Sequence, residues 1–377
     1  MRELRENLSE YYRQLDKLMI LCAVFCSVLS VFLLHSIQKN GVLDIGYDDC
    51  ITQGVAAGMG FIAMLITSVI DFHKLSKYWY IFTPAILILI ALTFTSLGYQ
   101  RDGADDQAWL NLGFVSIQPS EFLKIVFILT FSLHLSKDEE NMNKPLHMLL
   151  LLLHGAVPLG IVVLQGDYGT AMIFAVMLAV MLFVSRISWI YIVAALAIIP
   201  VMLWVVWNFI LGELHKSRIL VLLHPGTDPE GLEYQQDLSL TALASGKLFG
   251  AGLYGGDDYV SVPELHNDFI FAYVGEALGF VGAMTVALVL TVLCIRVLLN
   301  GAKLYDRQGM FICMGVFAMF MTHCIMNIGM VLKVMPVIGI PLPFLSAGGS
   351  ATLSMYIALG LVLSAKRNSI RPKPTLF

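Results

Sequence analysis

Asp268 lies in His266-Asn267-Asp268-Phe269-Ile270-Phe271, where a polar stretch of 56 residues, 213–268, gives way to an apolar run. A carboxylate held at the mouth of a membrane span is costly unless it is used or paired, so it reads as a functional group by default. One ionised carboxylate within hydrogen-bond reach of a hydroxyl is a general base. His266 is two residues away and would not share a helical face with Asp268, so a His–Asp relay is a weak reading. Glu276 lies eight residues further on. On a helix that is about 80° round the axis and roughly two turns deeper. Its first reading is a buried hydrogen-bond anchor, with direct catalysis second.

Other polar groups in apolar surroundings carry two readings each. Glu121 and Lys124 are three apart and would share a helical face. Two opposite charges in an apolar run should point inward and pair. They form either a structural ion pair or a cation and a carboxylate lining a substrate cavity, and the residues do not decide between these. Asp167, between Gly166 and Tyr168-Gly169-Thr170, reads as a turn residue capping the next helix. His154 and His323, alone in apolar runs, read as packing residues. Lys216 and Arg218 open the polar stretch, as solvated cations or as a phosphate clamp; the arginine fork suits phosphate. Nine acids share that stretch: Glu213, Asp228, Glu230, Glu233, Asp237, Asp257, Asp258, Glu264 and Asp268. A pyrophosphate approaching them would call for a bridging divalent cation, Mg²⁺ or Mn²⁺, since hard cations take oxygen ligands. No metal ligands are assigned. The segment Pro336 to Ser350 holds three prolines and three glycines, with Ser346, Gly348, Gly349 and Ser350 at its end. Non-helical backbone at membrane depth survives only under protein or beside a wet cavity. The segment either lines such a cavity or is a plain turn before a kinked helix.

The elements that position these residues are helices in a membrane. The chain is 58% hydrophobic and 13% charged, with mean hydropathy +0.79, against about 25% charged in a soluble domain. The expected class is an all-α integral membrane bundle forming one domain over 1–377. A span needs about 20 mostly apolar residues. Ten segments qualify: 18–37, 51–71, 78–98, 119–136, 146–165, 169–185, 187–212, 269–298, 308–333 and 342–365. With the N-terminus inside, the cytoplasmic segments hold 16 Lys and Arg and the outer ones six. That asymmetry orients the chain. Both termini are then cytoplasmic, and 213–268 is one large extracellular loop. Within it, Leu238 to Leu248 is expected to lie along the interface as a short helix. Net charge −4 argues against a nucleic-acid partner. The six cysteines form no CxxC pair, so no metal or disulfide framework is expected.

With these residues in hand, the chain resembles the SEDS family of bacterial shape, elongation, division and sporulation proteins (RodA, FtsW and SpoVE) over nearly its whole length. The resemblance rests on Trp109-Leu110-Asn111-Leu112-Gly113 with Ile117-Gln118-Pro119-Ser120-Glu121-Phe122-Leu123-Lys124. It continues through Asp167 with Gly169-Thr170, Arg218-Ile219-Leu220, and Ser245-Gly246 with Gly250-Ala251-Gly252. It closes with Pro263-Glu264 through Phe271, Gly275-Glu276, and Asn327-Ile328-Gly329 through Ser350. What the resemblance implies is a glycosyltransferase in the bacterial plasma membrane that polymerises lipid II into peptidoglycan strands beside a class B penicillin-binding protein. Asp268 falls on the family's catalytic aspartate, and Glu121 and Lys124 fall on its charged pair. The alternatives are a lipid-linked sugar flippase and a non-catalytic activator of the transpeptidase. The sequence departs from the family pattern at Ala108 (usually Arg), Gly166 (Pro), Lys333 (Gly) and Ala347 (Tyr), with Asp237 beside a usual Gln-Ser.

Overall fold

A computed structural model describes residues 11–43, 46–100, 106–111, 113, 116–137, 141–224, 226, 231–255 and 259–369. Thirteen α-helices follow in order among them: α1 Lys17–Lys39, α2 Tyr47–Val69, α3 Phe72–Lys77, α4 Trp79–Thr93, α5 Pro119–Lys137, α6 Pro145–Leu164, α7 Tyr168–Val184, α8 Trp189–Val205, α9 Glu213–Leu223, α10 Leu232–Ser245, α11 Ile270–Ala302, α12 Arg307–Val331 and α13 Gly349–Asn368. Asp16, Asp71, Asp167 and Asp306 each start a helix by accepting a backbone N–H in its first turn, the job a short acceptor side chain does at an N-cap.

Each of the ten apolar segments contains a helix. Seven helices are long and apolar enough to cross a membrane: α1, α2, α6, α8 with its π-turn extension to Ile210, α11, α12 and α13. The chain is therefore an integral membrane protein. Helices α4 and α7 are apolar but shorter. Helix α5 carries Glu121 and Lys124 and lies outside both groups.

Helices α12 and α13 form the centre. Helix α13 packs along α2, and α12 lies against α5, α7, α11 and α13. Their most apolar stretches are 72% and 78% buried. No residue of helix α8 is fully buried within the chain and most of its apolar surface is exposed, the pattern of a helix at the lipid-facing edge of a bundle. The last expected span begins later than its hydropathy suggests. Residues 342–348 are not helical, and α13 starts at Gly349.

Two elements were not legible in the sequence. A three-stranded antiparallel meander, β1 Gly98–Tyr99, β2 Trp109–Asn111 and β3 Ser116–Ile117, precedes α5, and Trp109 and Leu110 are buried. Helix α11 breaks at Gly279 (φ 69°). The chain leaving α10 enters that break: Ala251 N–H donates to Glu276 O at 2.9 Å, Gly252 N–H to Ala277 O at 2.9 Å, and Phe280 N–H to Lys247 O at 2.8 Å. Backbone groups freed within a bilayer need such partners. A methyl on Gly246 would fall within 2.9 Å of the Glu276 backbone and closer still to the Gly275 carbonyl.

Helix α10 replaces the interfacial helix expected over 238–248. It starts earlier, ends at Ser245, and packs on α11 with Gln236, Ser239 and Ala242 buried. Gln236 Nε2 donates to the carbonyls of Met330 (3.0 Å) and Met335 (2.9 Å), and Ser239 Oγ to that of Val331 (3.2 Å). Lys333 adds ion pairs to Glu233 (3.0 Å) and Asp237 (2.5 Å). Helix α10 is thus a cap on the C-terminal end of α12, whose last carbonyls have no intrahelical partner.

Candidate active site

Asp268 stands in a tight turn just before α11. Its N–H donates to Glu264 O (3.0 Å), and Glu264 itself takes a left-handed conformation, φ 56°. Val262, Leu265 and Phe269 are buried and anchor the turn, while Asp268 is half-buried. Asn327 of α12 fixes its backbone: one Nδ2 proton goes to Asp268 O (2.7 Å) and the other to Ile340 O (2.8 Å). The carboxylate lies over Gly339 (φ 66°), where an added methyl would come within 3.6 Å of Oδ2. His266, half-buried in the same turn, accepts at its carbonyl from Ala347 N–H (2.9 Å).

The 336–350 segment forms the floor under this turn. Ser346 Oγ accepts from Leu342 N–H (2.8 Å). The Ser346 carbonyl accepts from Gln53 Nε2 (3.2 Å), and Gly348 N–H donates to Gln53 Oε1 (3.1 Å). Ser350 Oγ accepts from Gln118 N–H (3.2 Å), and Gln118 Nε2 donates to Asp167 Oδ2 (2.9 Å). Gly349 opens α13 against Thr52 and Ala56 of α2, and Gly169 abuts the Ile338 carbonyl. The first turns of α5, α7, α11 and α13 therefore meet the last turn of α12 at one end of the bundle.

Ser346, Gly348, Gly349 and Ser350 are the residues of this segment that a substrate-lining role would draw on. In the structure each hydroxyl accepts one backbone N–H, and the Gly348 N–H is taken by Gln53. Glu121 and Lys124 are 2% and 0% exposed and paired at 2.8 Å. Ser354 Oγ donates to the other Glu121 oxygen at 2.8 Å. Of their two sequence readings, this geometry supports the buried pair over the cavity lining. Glu276 is buried and takes Val260 N–H (2.8 Å) and Ser245 Oγ (3.3 Å) on one oxygen, tying the chain before the Asp268 turn and the end of α10 to α11. Asp167 caps α7 through Thr170 N–H (2.8 Å). Desolvation first, then the charge of Asp106, pushes its carboxyl up to about 6.

On α9, Lys216 pairs with the exposed Glu213 (2.9 Å). The Nε of Arg218 is buried with no hydrogen-bond partner among the described residues. The ring of His215 meets Tyr168 edge-on with centroids 4.4 Å apart, which sets α9 beside the Asp167 turn. Arg101, Asp228, Glu230, Asp257 and Asp258 lie outside the described residues. Among the described residues no three His, Cys, Asp or Glu side chains converge on a common point.

Sequence reasoning missed Gln53, took His323 for a packing residue and met Asn327 only within the resemblance motif. Each is a polar residue in an apolar run, and each is buried. The signal was available, because a polar side chain at membrane depth must find a partner.

Bundle and site together define a polytopic helical membrane protein whose half-buried carboxylate stands at the helix ends over a proline- and glycine-broken segment. The chain belongs to the FtsW/RodA/SpoVE family of cell cycle proteins, whose model matches residues 13–370. It is 31% identical over 357 residues to the peptidoglycan glycosyltransferase MrdB of Escherichia coli (strain K12), covering 93% of each chain. It is 32% identical over 374 residues to the stage V sporulation protein E of Bacillus subtilis (strain 168), covering 94% of this chain and 97% of that one. Its fold matches a chain of a solved peptidoglycan synthase complex that coordinates polymerization and crosslinking, with TM-score 0.78 and 25% identity over 94% of this chain and 98% of that one. It also matches the crystal structure of the rod shape determining protein RodA of Thermus thermophilus, with TM-score 0.66 and 23% identity over 93% of this chain and 98% of that one.

Proposed function

We propose that the protein is a peptidoglycan glycosyltransferase that polymerises lipid II, with Asp268 as general base. The observation that carries the reading is the Asp268 turn. Its backbone is fixed from two sides by Asn327 and Glu264, while the carboxylate is half-buried over a residue with no side chain. A base must be held still and remain reachable. Asp268 takes the proton from the 4-hydroxyl of the acceptor GlcNAc as that oxygen attacks the anomeric carbon of the donor. The C–O bond to the lipid pyrophosphate breaks, and the α-linked donor gives a β-linked product by inversion. Positive charge must meet the departing pyrophosphate. Arg218, on the helix that His215 sets beside the Asp167 turn, is the cation proposed for this contact. Lys124 is enclosed and paired, so it is not assigned that contact.

The orientation belongs to the same proposal. The Lys/Arg asymmetry supports cytoplasmic termini and an outward-facing Asp268, the side on which a wall polymer is made. A class B penicillin-binding protein is the proposed partner, because strands once polymerised must be crosslinked. Mg²⁺ or Mn²⁺ is proposed as a bridge on the pyrophosphate. It would draw on the substrate's own oxygens, and no step above is routed through it.

The experiment is polymerisation of labelled lipid II by purified protein, with and without the partner and with the ion titrated by chelator. Asp268→Asn should cost about 10²- to 10⁴-fold in rate. A folded Asp268→Asn protein polymerising at the wild-type rate refutes the assignment. Lipid movement without polymer identifies a flippase. Polymer made by neither preparation, with the partner still bound, identifies an activator.

A further inference from the structure

We infer that His323 is a positioning residue for Asp268, through which the buried Glu121–Lys124 pair acts on the catalytic turn. The inference rests on Asp268 being the base. It begins from a continuous chain of buried hydrogen bonds. Ser354 Oγ donates to Glu121 Oε2 (2.8 Å), Lys124 Nζ donates to Glu121 Oε1 (2.8 Å), Lys124 Nζ meets His323 Nε2 (3.0 Å), and His323 Nδ1 meets Pro341 O (2.9 Å). An ammonium has donors only. Lys124 therefore makes Nε2 the acceptor and places the imidazole proton on Nδ1, aimed at the Pro341 carbonyl. A single tautomer satisfies both contacts. Glu121, Lys124 and His323 are 2%, 0% and 0% exposed.

The far end of this chain is the floor of the site. Asn327 is one helical turn beyond His323 and shares its face. It holds the carbonyl of Ile340, the residue before Pro341, and with its other proton the carbonyl of Asp268. Two side chains of α12 thus grip two consecutive carbonyls in a segment that has no secondary structure of its own to hold it. Gly339, next in line, lies under the Asp268 carboxylate. A shift of the 339–341 backbone moves the surface on which the base rests. The pair at 121 and 124 reaches no substrate in this arrangement, yet it is two hydrogen bonds from that backbone. Its effect on the reaction runs through the imidazole.

The test is a double-variant cycle in the lipid II polymerisation assay, using the full chain with its transpeptidase partner. Folding is checked by partner co-purification and melting temperature. His323→Leu and Lys124→Met should each lower kcat by about 10- to 100-fold, the scale on which misplacement of a catalytic group costs rate. KM should stay within about twofold, because neither residue touches substrate. The combined variant should be no slower than the slower single one, because both cut the same chain. His323→Asn, which carries an N–H near the Nδ1 position, should recover much of the kcat lost in His323→Leu. Losses that multiply in the combined variant, or a His323→Leu enzyme at wild-type kcat, overturn the inference. If His323→Leu does not fold, His323→Asn against His323→Gln decides: Gln, which cannot reach Pro341 in the same way, must be the slower, and the reverse order overturns the assignment. Asp268→Asn runs alongside. A wild-type rate there sinks the base itself, whereas a dead Asp268→Asn with a normal His323→Leu sinks only the relay.

Discussion

Removing the Lys333 side chain tests how α10 is held over the site. Lys333 has φ 57°, a left-handed conformation that costs a residue with a Cβ about 1–2 kcal/mol. What holds it there is its ammonium, 3.0 Å from Glu233 and 2.5 Å from Asp237. The Asp237 carboxylate first, then Glu233, outweighs desolvation and raises the lysine pKa, so the clasp is charged at neutral pH. Asp237 is 53% exposed and Glu233 6%. An exposed pair is worth about 0.2–1 kcal/mol. A buried acceptor losing its partner costs about 1–3 kcal/mol, and here the lower part of that range applies, because Gly226 N–H still reaches both Glu233 oxygens, at 2.9 and 2.7 Å. Lys333→Met keeps the backbone conformation and loses both pairs, so it should destabilise by about 1–3 kcal/mol. Lys333→Gly loses the same pairs but adopts the conformation freely, so it should recover about 1 kcal/mol of that. Thermal unfolding in detergent should rank wild type above Lys333→Gly and Lys333→Gly above Lys333→Met. A glycine variant as unstable as the methionine variant refutes the backbone part of the reasoning, and a methionine variant as stable as wild type refutes the clasp.

Gly246→Ala should destabilise by about 1–3 kcal/mol, the usual cost of overpacking, because its methyl meets backbone of α11 that cannot rotate away. Gly58→Ala on the open face of α2, with nothing within 4 Å of the new methyl, should instead gain about 0.5–1 kcal/mol from helix propensity; melting temperatures of the two should move in opposite directions. His73 bridges Asp306 (2.8 Å) and Asp71 (3.0 Å). Desolvation lowers its pKa, but the hydrogen bonds to Asp306 and Asp71 outweigh that and raise it. A raised histidine contributes stability fully present below its unfolded value of about 6.5 and lost as pH rises through the folded value. Melting temperature should therefore fall over that window in the wild type and stay flatter in His73→Gln; parallel profiles count against the bridge.

The helices were legible because apolar runs of about 20 residues have one solution in a bilayer. Their ends were less so. Residues 342–348 are as apolar as the helix after them, yet Pro341 and Pro343 deny the backbone its helical donors, and the side chains of Gln53 and Ser346 supply the partners instead. Gln53 is 295 residues from Gly348, a contact that no local pattern encodes. The prominence of Asp268 in the sequence came from its place between polar and apolar stretches. What the sequence hid was the means of holding it. Asn327 and His323 look like incidental polar residues in an apolar run until the segments they grip are brought beside them. Ser346, Gly348, Gly349 and Ser350 looked like ligand contacts from their place at the end of a proline- and glycine-broken segment. Here the Ser346 hydroxyl and the Gly348 amide close hydrogen bonds of the broken backbone, and the Ser350 hydroxyl accepts from Gln118 N–H.

The departures from the family pattern bear on the site through the same distinction between backbone and side-chain roles. Ala347 reaches the Asp268 turn only through its N–H, donated to His266 O, a contact that any residue except proline makes. Lys333 occupies a left-handed position suited to glycine, and Asp237, itself a departure, is one of the two carboxylates that hold it there. The two changes are partners in space although 96 residues apart in sequence. Gly166 has φ 81°, which proline cannot adopt, so the turn before α7 follows a path that a proline there would not allow. Asp167 still caps α7 and still receives Gln118. Ala108 is fully buried and brings no charge, so a side-chain cation for the proposed pyrophosphate leaving group must stand at another position. The backbone hydrogen bonds of Asp268 to Glu264 and Asn327 involve none of these positions, so on the proposed reading the base is unaffected and the difference falls on the leaving group. A chain altered in this way should remain sensitive to its base and become more dependent on Arg218: Arg218→Gln should lower kcat of lipid II polymerisation by about 10- to 100-fold, the loss that follows removal of a charged stabilising contact of about 1.5–3 kcal/mol. An Arg218→Gln enzyme with normal kcat refutes that reading of α9.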